Sequence, residues 1–141
     1  MHIIPAPDLN IVRQLLQPAG LPIEDIGDNP LARFYLIEMD GKTAGVAGVE
    51  LHTTDALLRS LMVRPEYRGR GLAAQLVSHI QQAAAAQGAM ALYLLTTDAA
   101  EYFKRLGFFA IARDAAPDSI RRTREFTHLC PDNATLLCRK L

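Results

Sequence analysis

The sequence predicts an α+β fold, one domain over residues 1–141 built around a largely antiparallel sheet. Three observations carry this. Between residues 34 and 63, three apolar runs of strand length follow one another with turn signals between them. From Gly71 the apolar spacing switches to the helical period, and a buried strand-like run follows, giving one β-α-β crossover. Finally, 141 residues that are 50% hydrophobic suffice for one core without disulfides or metals to staple it.

Residues 2–5 read as a first strand. Asp8 can cap a helix whose Ile11, Val12, Leu15 and Leu16 form one stripe, and Gly20 and Pro22 end it. Residues 22–31 are expected to form a short second helix closed by Gly27 and Pro30. Phe34–Ile37 is a strand, Asp40-Gly41 a hairpin turn, 43–52 the return strand, Thr53-Thr54-Asp55 another turn, and Leu57–Val63 a third strand of the meander. The helix over 71–87 places Leu72, Leu76, Val77, Ile80 and Ala84 on one stripe and stops at Gly88. His79 falls opposite that stripe and is expected to be exposed. Ala91–Thr96 is a buried strand, Asp98 is expected to cap a short helix ending at Gly107, and 108–112 is a strand. Pro117–His128 reads as a further helix rich in arginine, and 134–141 as the closing strand.

Composition excludes several functions. Fifteen basic side chains balance fifteen acidic ones, so nothing attracts the chain to a nucleic acid or an anionic membrane surface. No apolar run reaches the eighteen or so residues of a membrane span, and the first residues lack the features of a secretory signal. Cys130 and Cys138 make no disulfide framework, and the four histidines have no metal-ligand spacing; no metal is expected. The default is a soluble cytoplasmic domain.

The stretch that carries chemistry is Leu61-Met62-Val63-Arg64-Pro65-Glu66-Tyr67-Arg68-Gly69-Arg70-Gly71-Leu72-Ala73-Ala74. A strand stops at Pro65 and the chain enters a helix through glycines flanked by Arg68 and Arg70. Unpaired amides and the positive dipole end make a helix start suited to a phosphate or diphosphate. Gly69-x-Gly71-x-x-Ala74 also satisfies the dinucleotide fingerprint, but Arg64–Arg68 separate it from the strand, and hairpins precede it where parallel crossovers are required.

Arg68-x-x-Gly71-x-Ala73, following a strand that ends Leu-Met-Val-Arg-Pro-Glu-Tyr, resembles the acyl-coenzyme-A motif of the GNAT N-acetyltransferase superfamily. Tyr102-Phe103-Lys104-Arg105-Leu106-Gly107-Phe108 is similar to the late helix-to-strand segment of that fold. The last third, Arg113-Asp114 through Ile120–Phe126 to Leu129-Cys130-Pro131, resembles the GNAT branch found with arsenic-resistance genes. The resemblance implies a sheet of about seven strands flanked by helices on both faces, with strands 4 and 5 parallel and splayed. It implies acetyl-CoA as cosubstrate: the diphosphate on Arg68, Gly69, Arg70, Gly71, Leu72 and Ala73, and the pantetheine arm on Leu61, Met62 and Val63. A Met62 or Val63 amide would be the oxyanion donor, and Tyr102 and Phe103 would flank the thiol. The family's common general-acid tyrosine matches Phe103, with Tyr102 one helical step, about 100°, away. A thiol of pKa about 8.5 leaves without much help, whereas an amine near 10 must first lose a proton, so the base matters more.

The family's glutamate on the central strand is replaced by Leu57. Glu50, on the adjacent strand and on one face with His52, is the alternative base, expected to pair near Leu58. Arg59, His52 and Arg121 are candidates for holding the acceptor, and 113–131 is long enough for a lid over it. The function implied is acetyl transfer from acetyl-CoA to a small-molecule amine, an amino-acid-like toxin or arsenical among the candidates, by direct attack in a ternary complex. A homodimer is compatible with this. The competing class is a non-catalytic acyl-CoA-binding module, favoured by the departures at Leu57 and Phe103.

Overall fold

The computed structural model describes residues 1–141. Seven strands form one sheet: β1 (His2–Pro5), β2 (Ala32–Met39), β3 (Lys42–His52), β4 (Asp55–Val63), β5 (Ala91–Thr96), β6 (Phe109–Ile111) and β7 (Thr135–Lys140), in the order β1-β2-β3-β4-β5-β7-β6. Every neighbouring pair is antiparallel except β4 and β5, which α2 (Leu72–Ala86) connects as a crossover. The fold class is the one the sequence predicts.

Strand alternation puts helices on both faces. Ile37, Ala47, Val49, Leu58, Leu92 and Leu94 pack against the stripe of α2 and against Phe103 of α3 (Ala100–Arg105). On the other face Phe34, Leu36, Val46 and Met62 pack against Val12, Leu15 and Leu16 of α1 (Leu9–Leu16), while Leu57 and Leu136 meet Ile120 of α4 (Asp118–Arg121). Asp8 caps α1 by accepting from the Asn10 amide at 2.8 Å.

Two features of β4 open the sheet and aim its side chains. The strand pairs with β5 only at Asp55↔Ala91, Ala56↔Leu92 and Leu57↔Tyr93, so beyond Leu57 the two diverge. A register shift against β3 between Val46 and Gly48 coincides with Ser60 at φ +58°, a left-handed conformation uncommon for a serine. The bulge re-phases the strand, so that Arg59, paired with Gly48, and Met62, paired with Val46, share the α1 face although three residues apart.

Four local expectations are corrected. Residues 22–31 form turns and no helix: Gly27 sits at φ +97°, and Arg13 Nη2 donates to the Ile26 carbonyl at 2.6 Å, occupying an acceptor a helix would need. The helix expected over 117–128 breaks into α4 and a separate wide turn at Glu125–Leu129. Thr123 makes the break, its hydroxyl donating to the Ile120 carbonyl at 2.7 Å and accepting from the Phe126 amide at 3.2 Å. Thr96, not Asp98, satisfies the amides before α3, accepting from Ala99 at 3.0 Å. His79 is half-buried, edge-on to Tyr35 with ring centroids 4.7 Å apart.

Candidate active site

The diverging ends of β4 and β5 open a cleft of about 360 Å³. Leu57 to Val63 line one wall, Leu94–Thr96 with Tyr102 and Phe103 the other. Arg68, bonded to Val63, stands at one end with Ala73, and Glu125, on Arg59, stands toward the other with Cys130, while Leu21 and Pro22 complete the lining. Phe103 is buried in the core, and Tyr102, half-buried, meets it edge-on at 5.4 Å. Tyr102 is the only phenol in the lining.

At the first end, none of the six backbone N–H groups from Gly69 to Ala74 meets a protein acceptor; the first amide of the helix to do so is Gln75, on the Gly71 carbonyl at 3.1 Å. Gly69 and Gly71 hold the turn at φ +77° and +76°, and a Cβ at either would project into open space. The orphaned amides therefore border room for a ligand, and the donor set fits a diphosphate. Arg68 bridges back to the strand, Nε donating to the Val63 carbonyl at 3.1 Å. Arg70 turns the other way, over the Tyr67 ring at 5.7 Å and against Met39 Sδ at 3.5 Å, and does not line the cleft.

At the second end lies a buried ionic cluster centred on Arg59. Its Nη1 donates to Asp25 and, at 3.1 Å, to Glu50 Oε2; Nη2 donates to Asp25 Oδ1 at 2.7 Å and lies 3.1 Å from Glu125 Oε1; Nε donates to Ser60 Oγ at 3.1 Å. Gly48 leaves room for this side chain under the Phe34 ring, since a Cβ there would come 2.7 Å from that ring. The sequence suggests Arg59 as a group that receives the acceptor. Instead its guanidinium is committed to three fixed acids, and it occupies the point between them where a cation would otherwise sit.

The sequence expectation for Glu50 also changes. Glu50 pairs with Leu57, one residue from the anticipated register, and its other oxygen lies 3.1 Å from His52 Nε2. Both line a second, polar cleft of about 720 Å³ between the β3–β4 turn and residues 117–124. Arg121 is exposed and lines neither cleft. Of the acids gathered on Arg59, the one that reaches the β4–β5 cleft is Glu125, which Cys130 Sγ contacts as donor at 2.9 Å; the exposed Asp98 lines the cleft from the β5 side.

Protonation differs sharply around Arg59. For Asp25, burial works to raise the pKa, but the Arg59 hydrogen bond and charge, aided by Arg124, hold it below the usual carboxylate range. Glu125 goes the other way: burial raises its pKa, and the opposing pull of Arg59 and Cys130 does not cancel that. Burial, with the neighbouring Glu125 charge, pushes the Cys130 thiol up to about 12, so it stays protonated as a donor. Asp25 and Glu125 carry no signal in the sequence that marks them as site residues, beyond Glu125 being the lone acid among Arg121, Arg122 and Arg124.

Comparison with known proteins turns this geometry into a family assignment. Residues 30–109 match the family described as acetyltransferase (GNAT) domain. The chain belongs to the GNAT family. It is 33% identical over 86 residues to an amino-acid acetyltransferase of Pseudomonas fluorescens, covering 60% of this chain and 20% of that protein. It is 28% identical over 90 residues to an uncharacterized N-acetyltransferase of Chlorobaculum tepidum, covering 63% and 57%. The chain thus spans between a fifth and just over half of these relatives. The N-acetylglutamate synthase of Neisseria gonorrhoeae, solved with coenzyme A and N-acetyl-glutamate, superposes with a TM-score of 0.82 at 22% identity over 100% of this chain and 35% of its own. Rv2747 of Mycobacterium tuberculosis, solved with CoA, gives 0.81 at 20% identity, covering 100% and 99%. At those identities the likeness shows a GNAT fold. No helix of the chain is long and apolar enough to cross a membrane.

Proposed function

We propose that this GNAT domain transfers an acetyl group from acetyl-CoA to a small-molecule amine by direct attack in a ternary complex. The observation that carries the reading is the run of unpartnered amides from Gly69 to Ala74, next to a cleft between β4 and β5 that Arg68 and Ala73 help to line. Acetyl-CoA supplies an acetyl group already activated as a thioester. Arg68 and the amides of Gly69, Arg70, Gly71, Leu72 and Ala73 hold the diphosphate by charge-assisted bonds. The edge of β4 at Leu61, Met62 and Val63, freed by the splay, hydrogen-bonds the pantetheine arm. A Met62 or Val63 N–H, fixed in the strand beside the bulge, is the oxyanion donor. Tyr102 and Phe103 flank the sulfur, and Tyr102 offers it a hydroxyl. Glu50 and His52 hold the Arg59 cluster from behind.

The acceptor is a freely diffusing amine. The relatives' names bring amino acids into the test panel, and the resemblance of the last third brings amino-acid-like toxins and arsenicals. The test is thiol release from acetyl-CoA across that panel between pH 6 and 9, with calorimetry of CoA. Acetyl transfer to at least one amine and a weakened CoA affinity in Arg68→Ala are expected. Failure of CoA to bind at millimolar concentration overturns the reading. Binding without thiol release for any amine leaves the acyl-CoA-binding module, which the departures at Leu57 and Phe103 favour.

A further inference from the structure

We propose that Glu125 is the catalytic base of this cleft: a primary ammonium docks on its carboxylate and gives up its proton there. The inference rests on the acetyltransferase function proposed for the domain and assigns to that site a residue outside the stretch matched by the family. Its ground is placement. Of the carboxylates gathered on Arg59, Asp25 and Glu50 do not line the β4–β5 cleft, and Glu125 does, held to Arg59 midway along β4, whereas Arg68 of the glycine turn is held to the Val63 carbonyl at the end of the strand. Asp98 also lines the cleft, but it is exposed and stands beside Thr96 on the β5 wall, outside the cluster. A base must be within reach of the attacking nitrogen, and the acetyl group lies between the two ends if the diphosphate occupies the first.

The surroundings of Glu125 suit a cation. Arg59 from β4, Asp25 from the α1–β2 connection and Glu50 from β3 face it, with His52 behind Glu50 and Arg124 acting on Asp25. Among the buried side chains, two formal negative charges on Asp25 and Glu50 face one positive on Arg59, and the exposed Arg124 opposes them from outside. An incoming ammonium therefore meets attraction from the buried acids, and the Arg59 donors are already engaged on Asp25, Glu50, Ser60 and Glu125 Oε1, leaving none for Glu125 Oε2. Cys130 donates to that oxygen, holding the carboxylate's orientation as a positioning residue. Burial raises the pKa of Glu125 toward the working range of a general base.

The step balances. The ammonium gives one proton to Glu125, and the freed lone pair bonds the acetyl carbon. The carbon–sulfur bond breaks with its electron pair going to sulfur, and the nitrogen's surplus proton goes to that sulfur directly or through water. One amide, one thiol and one protonated Glu125 result, and Glu125 returns its proton to solvent before the next turnover.

The test compares Glu125→Gln, Glu125→Asp and Cys130→Ala with the wild-type chain, reading CoA affinity by calorimetry, binding of the best amine to the CoA-saturated protein, and the pH profile of kcat/KM. Glu125→Gln is expected to keep CoA affinity within about twofold, weaken the amine, and lower kcat/KM about a hundredfold or more. The wild-type acidic limb is expected above the ordinary glutamate value of about 4.3. Glu125→Asp should restore part of the rate. Cys130→Ala should move the limb further up, because its hydrogen bond favours the charged carboxylate. NMR titration of the Glu125 carboxyl carbon should give the same pKa as the limb. Unchanged kcat/KM and amine affinity in a Glu125→Gln chain that binds CoA overturns the proposal. If the wild type binds CoA yet releases no thiol, the amine arm decides, since amine binding unaffected by Glu125→Gln, or absent from the wild type, overturns the docking role.

Discussion

Asp25 and Glu125 share one guanidinium and respond to pH in opposite senses, because burial loses to Arg59 at the first and prevails at the second. A folded-state pKa below the unfolded value of about 3.9 means that Asp25 contributes stability above that pH and loses it as pH falls through the folded value. Asp25→Asn removes one member of a buried pair whose two side chains are essentially inaccessible. Glu50 and Glu125 still neutralise Arg59, so the cost belongs at the low end for such pairs, about 3 kcal/mol at pH 7. Urea unfolding from pH 7 to pH 3 should show the gap between variant and wild type closing below about pH 4; parallel curves over that range would remove Arg59 as the cause. For Glu125 the sign reverses. A raised folded pKa favours folding at low pH and withdraws that gain as pH rises through it, so Glu125→Gln should be neutral or mildly stabilising at pH 7.

The segment that carries Glu125 depends on one hydroxyl. Thr123, itself buried, joins α4 to the Glu125–Leu129 turn by bonding across the break. Thr123→Val keeps the volume but strands the Phe126 amide, while the Ile120 carbonyl keeps the Thr123 N–H at 3.1 Å; the change should cost about 1–3 kcal/mol. Amine turnover should fall with it while CoA affinity holds; equal losses in both would mean that the whole sheet, not this turn, has moved. The same segment shows where a sequence stops being legible. The meander, the α2 stripe and the β4–β5 crossover can be read because each is a run whose spacing buries one face, and the glycine turn can be read because its chemistry is local. Residues 22–31 and 113–131 have no such period. Their shapes are set by Asp25 meeting Arg59 thirty-four positions away and by Glu125 meeting the same guanidinium from the other direction. Arg59 itself reads as needing a partner, but only the fold says that the partners are internal.

Because β4 and β5 share just three paired positions, the sheet is effectively two parts, β1–β4 and β5-β7-β6, joined near Leu57 and by α2. A coenzyme whose diphosphate sits at Gly69–Ala74 and whose arm runs between the strands would touch both parts, supplying cross-strand bonds the protein lacks there. Binding only the folded state at a hundred times Kd adds about 2.7 kcal/mol, which for a chain of this size raises Tm by roughly 8 °C. Amide exchange should locate that gain. Protection is expected at Leu61–Val63 and at Leu94–Thr96 together, on the two sides of the splay, as well as in the glycine turn. Coenzyme A and its dephosphorylated pantetheine half separate the contributions: the half molecule, lacking the diphosphate, should protect the strands weakly and leave Gly69–Ala74 unchanged. Protection confined to the turn with intact coenzyme would mean that the diphosphate binds while the arm lies outside, and the cleft between β4 and β5 would then have to serve another ligand.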